Sequence, residues 1–143
     1  MNMNAFAIFD LPPIYNINTT ELRAKYIKLQ QKWHPDMRNG DQNQSEKIGI
    51  AYKILRDDVE RARCIIECYN HQLPQSTSIQ AERWFEWHAD AQENAAAMLI
   101  EQKAFDDKLK AYELPAQITE FTATYLDLLY ISKALNAVKY DEH

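Results

Sequence analysis

Glycine is almost missing from this chain. There are two in 143 residues, Gly40 and Gly49, beside five prolines. All seven except Gly49 lie near candidate element boundaries. So few breakers, with little strict apolar–polar alternation, point to an all-α protein. They also leave no glycine-rich phosphate-binding loop. Long apolar runs are missing too: no stretch approaches the roughly 18 residues of a membrane span. The opening residues MNMNAFAIF show neither the charged region nor the small-residue cleavage site of a signal peptide. A cytoplasmic or matrix-type compartment is therefore the expectation, with cytoplasmic taken first and no membrane. Cysteine is scarce. Cys64 and Cys68 stand four apart, on one helix face, and that spacing is not a zinc framework. His71 is the nearest further ligand, which still falls short of a closed structural site. Two small helix residues in a reducing compartment are expected, with no metal and no cofactor.

A large charge of one sign is lacking as well. The net charge is −5. It is unevenly spread. Residues 1–73 carry 10 basic and 9 acidic groups, residues 74–143 carry 6 and 12. An acidic chain with one small basic face fits a protein partner better than nucleic acid, which draws a wider basic footprint.

Helical periodicity fills most of what remains. A short apolar helix is expected within Asn4–Asp10, ended by Leu11-Pro12-Pro13. Asn18-Thr19-Thr20-Glu21 reads as a capping box opening a helix over roughly 19–33. Leu22, Tyr26, Leu29 and Trp33 form its core face, and Lys25, Lys28 and Lys32 a stripe about 90° away. Pro35 disfavours helical backbone at His34, so the helix stops there. A polar loop with Asn39-Gly40-Asp41 at its turn leads to one long antiparallel helix from about Glu46 to Tyr69. The stretch Leu73 to Ser78 breaks the composition, giving expected domains of 1–73 and 74–143. Residues 79–113 contain no Gly or Pro, yet one helix there would outrun its partner at 116–139. A break near Asn94–Glu101 is expected. Trp84, Phe85 and Trp87 span about 300° of a helix, so at least one must face away from the core.

The basic helix, His34-Pro35-Asp36 at its end, and Ala51-Tyr52-Lys53-Ile54-Leu55 beyond the loop resemble the J-domain of DnaJ-type co-chaperones. Phe9-Asp10-Leu11-Pro12-Pro13, Leu29-Gln30 before the motif and Glu60-Arg61-Ala62 after it are similar to the HscB family, J-domain co-chaperones of iron–sulfur cluster assembly. Trp84 to Asp90 and Leu129 to Lys133 resemble helices of the small acidic bundle that follows the J-domain in that family. Met37 departs from the basic residue common directly after the motif, although Arg38 follows. Glu86 and Ala89 replace larger apolar residues.

The resemblance implies an all-α J-domain hairpin with a short N-terminal helix, then a C-terminal client-binding bundle. It implies no covalent chemistry. His34, Pro35 and Asp36 would dock on an HscA- or DnaK-type chaperone ATPase, Asp36 meeting an arginine. Lys25, Lys28, Lys32 and Arg38 would steer the approach. An IscU-type iron–sulfur scaffold would be the client, held by Phe85, Glu86, Ala89, Asp90, Glu93 and Tyr130. The carboxylates at 86, 90 and 93 would line one helix face. Three alternatives remain. One is a J-domain protein serving a general DnaK-type chaperone and another client. Another is a hydrolase using His34 and Asp36 as acid and base, although no nucleophile motif or metal-ligand cluster accompanies them. The last is a purely structural helical module.

Overall fold

The structure, a computed structural model, describes residues 4–73 and 78–141; the side chains of residues 78–81, 90 and 139–141 lie outside that description. Among the described residues there are seven helices and no strand. They are α1 (Ala5–Ile8), α2 (Thr19–Trp33), α3 (Gln42–Arg56), α4 (Asp58–Cys68), α5 (Ser78–Asp90), α6 (Ala95–Ala111) and α7 (Ile118–Asp141). The chain divides into two compact units, residues 1–70 and 71–143.

In the first unit α2 starts where the Asn18 side chain accepts the Glu21 N–H, at 3.0 Å, and ends at Trp33. It packs on α3. Tyr26 stacks on Tyr52 with ring centroids 4.2 Å apart, and Gln30 bonds to Ser45, so the two helices run antiparallel. Ile48, Ala51 and Leu55 recur at +3 and +4 and bury one face of α3. Phe6, Phe9, Tyr15, Leu22, Ile65 and Ile66 complete this core.

The single long helix expected from Glu46 to Tyr69 is two helices. Asp41 opens α3 four residues early by accepting the Asn43 and Gln44 N–H groups, at 2.9 and 3.4 Å. Asp57 breaks the run: its backbone is extended, and its carboxylate accepts from Val59 and Glu60 at 2.9 and 3.1 Å, capping α4. Buried Arg61 holds this corner. It donates to the backbone carbonyls of Tyr15 and Leu55 at 2.9 and 2.8 Å, and to Asp58 at 2.8 Å.

In the second unit α5 and α6 both pack on α7. Burial extends around α7, taking in Phe121, Thr122, Thr124, Tyr125, Leu128, Ile131 and Ala134. Its polar positions are matched: Tyr112 and Thr124 share a hydrogen bond of 2.7 Å, and Gln102 donates to Ser132 at 3.0 Å. Arg83 pins α5 by ion pairs to Glu101 and Asp127, at 3.1 and 3.3 Å, with its guanidinium over the Trp87 ring. Burial pushes the Asp127 carboxyl above its ordinary range, against the opposing pull of Arg83. The break between α5 and α6 falls at residues 91–94, at the edge of the expected window.

Candidate functional site

Tripeptide His34-Pro35-Asp36 forms the first bend after α2. His34 closes the helix, donating its N–H to Gln30 at 2.9 Å, while its ψ of 139° turns the chain outward. The loop behind it is a closed, internally bonded ring. The Met37 N–H donates to the His34 carbonyl at 2.8 Å, that of Gly40 to Met37 at 3.0 Å, and that of Asp41 to Trp33 at 2.8 Å. The Asp36 N–H donates to His34 Nδ1 at 3.2 Å, and the imidazole is half exposed. The Asp36 carboxylate lies 3.5 Å from the same nitrogen and is 88% exposed. Motif side chains are thus held at their bases and open at their tips, which is the arrangement of a contact surface.

Gly40 is the residue that sequence reading missed. A Cβ placed there would overlap the His34 carbonyl oxygen, and would stand 2.7 Å from the carbonyl carbon and 3.1 Å from Pro35 Cα. Asn39-Gly40-Asp41 signals a turn, but not that the turn folds back against the motif itself.

Of the basic residues, Lys28, Lys32 and Arg38 are exposed. Lys32 lies over the Trp33 ring at 5.1 Å. Lys25 is drawn out of the stripe: it donates to the Phe9 carbonyl at 3.2 Å and pairs with Glu21 at 3.7 Å. Its ammonium stitches α2 to the segment after α1.

In the second unit the three aromatics of α5 divide as the angular argument requires. Trp87 is buried against Phe105, while Phe85 is 65% exposed. Trp84 stacks on His88 and meets Phe85 edge to face. Glu86 and Ala89 are exposed on the same helix, and the Asp90 side chain lies outside the described residues. Glu93 is exposed in the turn beyond the end of α5, so the expected helical line of carboxylates 86, 90 and 93 does not form. Tyr130 is half-buried on α7. Leu99 and Ile100, not singled out from the sequence, are exposed on α6.

Neither cysteine is in a disulfide. Burial pushes Cys64 up, and pushes Cys68 up to about 12, with Cys64 adding to the rise. Metal ligation needs thiolates, which this setting opposes. Among the described residues no three His, Cys, Asp or Glu side chains are grouped to hold a metal ion, and no helix is long and apolar enough to cross a membrane.

An antiparallel helical hairpin with an exposed His-Pro-Asp bend defines a J-domain, and the DnaJ domain family matches residues 5–64. J-domain co-chaperones work with an Hsp70-type chaperone, which is this chain's partner class. A co-chaperone protein HscB homolog of Acinetobacter baylyi is 32% identical over 139 residues, spanning 87% of this chain and 75% of that protein. Another, of Pasteurella multocida, is 26% identical over 144 residues and spans 93% and 75%. The chain belongs to the HscB family of co-chaperones. Its fold is that of the chaperone HscB from Vibrio cholerae, with a TM-score of 0.79 at 19% identity over 98% of each chain. The human co-chaperone HscB matches with a TM-score of 0.81 at 18% identity, over 99% of this chain and 83% of that one.

Proposed function

We propose that this protein stimulates the ATPase of an HscA-type chaperone through the His34–Asp36 loop, and delivers to it an IscU-type iron–sulfur scaffold bound by residues 74–143. The observation that carries this reading is the pre-formed, outward-facing motif loop at the end of a helix bearing exposed Lys28 and Lys32. A partner shifts a two-state ATPase only by binding one state more tightly. An exposed carboxylate and a half-exposed imidazole on an internally hydrogen-bonded loop can supply that difference through charge-assisted hydrogen bonds. Residues 1–73 act as the J-domain, with Arg38 and the two exposed lysines speeding the approach to an acidic surface. The protein itself catalyses nothing, and works in the cytoplasm. Service to a general DnaK-type chaperone is the second reading, since the same loop chemistry suits it.

His34→Gln and Asp36→Asn each remove a contact atom from an exposed loop. Both variants should melt as wild type and stimulate the purified chaperone's steady-state ATPase at least about tenfold less, the scale of one charge-assisted bond. Full stimulation by either would end the proposal.

Client binding rests on Phe85, the exposed aromatic of α5, with Glu86 beside it. An apolar contact with an acidic flank fits a partner with an apolar patch and basic residues. Phe85→Ser combined with Tyr130→Ser should weaken scaffold binding by about tenfold or more in calorimetry, given 1.5–3 kcal/mol for a large buried side chain. Stimulation of the chaperone without client should not change. A folded double variant with normal affinity would place the client site elsewhere.

A further inference from the structure

Asn39 is the one asparagine of the chain that precedes a glycine; every other is followed by a residue with a Cβ. This pair forms the outer corner of the loop between α2 and α3. Met37 to Gly40 make a turn with Arg38 and Asn39 at its centre, closed by the Gly40 N–H donating to the Met37 carbonyl at 3.0 Å. Both central residues are exposed, so water and hydroxide reach the Asn39 carboxamide. Four of the other asparagines are tied into helices. Asn4 and Asn18 accept the Ala7 and Glu21 N–H groups as caps, Asn43 lies inside α3 and Asn136 inside α7. At Asn39 the following backbone nitrogen carries no side chain to shield it from the carboxamide. The bond to Met37 engages that nitrogen's proton. The loop behind it has no slack. A Cβ on Gly40 would overlap the His34 carbonyl oxygen and stand 3.1 Å from Pro35 Cα, so main chain already fills the space.

We propose that Asn39–Gly40 is a self-modification site, at which the Gly40 backbone nitrogen attacks the Asn39 carboxamide and the resulting isoaspartate disables the motif loop. The Gly40 nitrogen gives its proton to hydroxide and forms a bond to Asn39 Cγ. The bond from Cγ to the amide nitrogen breaks, and that nitrogen takes a proton from water and leaves as ammonia. A five-membered succinimide remains. Water then opens one of the two C–N bonds of the ring. Opening at Cγ gives aspartate on an ordinary main chain. Opening at the main-chain carbonyl gives isoaspartate, whose chain runs through Cβ and Cγ and is longer by one carbon. The net change consumes one water and releases one ammonia, with no oxidant and no enzyme. The reaction follows a local opening of the turn, which frees the Gly40 proton from Met37. The added carbon has no room where Gly40 abuts His34, so His34 and Pro35 shift and Asp36 moves with them. The loss of function rests on the chaperone-docking reading above; the chemistry at Asn39 does not.

The test ages the full chain at neutral and mildly alkaline pH, folded and in urea. Peptide mapping by mass spectrometry follows each asparagine, and an isoaspartyl methyltransferase labels isoaspartate. Stimulation of the purified chaperone's ATPase is assayed on the same samples. Asn39 should convert before any other asparagine, and faster at the higher pH. Because one exposed hydrogen bond guards it, the folded chain should react at most about tenfold slower than the chain in urea. Protection by the whole fold would slow it about a thousandfold or more, and would overturn the inference. Stimulation should fall in step with isoaspartate at position 39. Asn39→Gln closes a less favoured six-membered ring, so the aged variant should stimulate as a fresh sample does. An equal fall in that variant would place the damage elsewhere and overturn the inference. Fresh Asn39→Asp, with its ordinary main chain, should stimulate within about threefold of wild type, the scale of one exposed charge. A chain converted to isoaspartate that stimulates like fresh wild type would also sink the proposal. Asp36→Asn, run in parallel, separates the two readings: if it stimulates fully, chaperone docking at this loop is what fails, and the mass spectra alone judge the modification.

Discussion

Gly40→Ala should silence the co-chaperone at least as thoroughly as Asp36→Asn while leaving both units folded. The methyl group it adds has nowhere to go. It would overlap the His34 carbonyl oxygen and stand 2.7 Å from the carbonyl carbon. Backbone meets backbone there, so no rotamer change relieves the clash. The loop cannot open elsewhere cheaply, because Asp41 is bonded to Trp33 at 2.8 Å and its carboxylate caps α3. The least constrained response is a shift of His34 and Pro35 away from Gly40, and that shift moves the two contact side chains. Losing both charge-assisted contacts, at about 1.5–3 kcal/mol each, corresponds to roughly a hundredfold or more in chaperone affinity. Gly49→Ala is the matched control: a Cβ there meets nothing within 4 Å, and alanine in the middle of α3 should stabilise it by up to about 1 kcal/mol. ATPase stimulation, chaperone affinity and thermal melting of the two variants decide the matter. Stimulation by Gly40→Ala equal to that of Gly49→Ala would show that the glycine does not position the motif.

Local and periodic features were legible in the sequence. The Asn18 cap and the His34-Pro35 stop bound α2 at Thr19–Trp33, since both signals act within a turn of the residues that carry them. The angular spread of Trp84, Phe85 and Trp87 forced one aromatic outward, and Phe85 is the one. What escaped depends on contacts between residues far apart or on a competition between signals. Asp57 caps α4 from inside an apolar period that runs on unbroken through Leu55, Val59 and Ala62, so periodicity alone joins α3 to α4. Lys25 has the spacing of a surface stripe, but its ammonium is drawn to the Phe9 carbonyl, sixteen residues earlier, and to Glu21. Glu93 has helical spacing from Glu86, but α5 ends before it. The close approach of Gly40 to His34 is a tertiary fact with no periodic signature.

Arg61→Met should cost the first unit about 3–5 kcal/mol, because a buried guanidinium gives up several charge-assisted hydrogen bonds at about 1.5–3 kcal/mol each, the one to half-exposed Asp58 being worth least. Arg61 is 4% exposed and serves three parts of the chain at once. It donates to the Tyr15 carbonyl in the segment between α1 and α2, to the Leu55 carbonyl in the last turn of α3, and to the Asp58 carboxylate in the first turn of α4. The Leu55 carbonyl belongs to a helix end, where intrahelical donors run out. The guanidinium also lies over the Tyr15 ring, 4.4 Å from its centroid. Methionine fills much of the volume but leaves the Leu55 carbonyl without this donor, at a cost of about 1–3 kcal/mol, and leaves the Tyr15 carbonyl with the Ile17 N–H at 3.0 Å. Domain stabilities are only about 5–15 kcal/mol, and a unit this small sits toward the lower end. At about 4–8 °C per kcal/mol the melting temperature of this unit should drop by more than about 12 °C. Arg61→Lys should lie between wild type and Met, because an ammonium reaches one or two of the acceptors but cannot hold all three in the guanidinium's planar fork. Thermal melts and urea titrations followed by circular dichroism measure the loss. Chaperone stimulation, assayed well below the lowered melting temperature, should recover toward wild type, since Arg61 holds the corner between α3 and α4 and not the motif loop. A melting temperature within a few degrees of wild type for Arg61→Met would show that water replaces the lost donors and that the corner does not depend on the arginine.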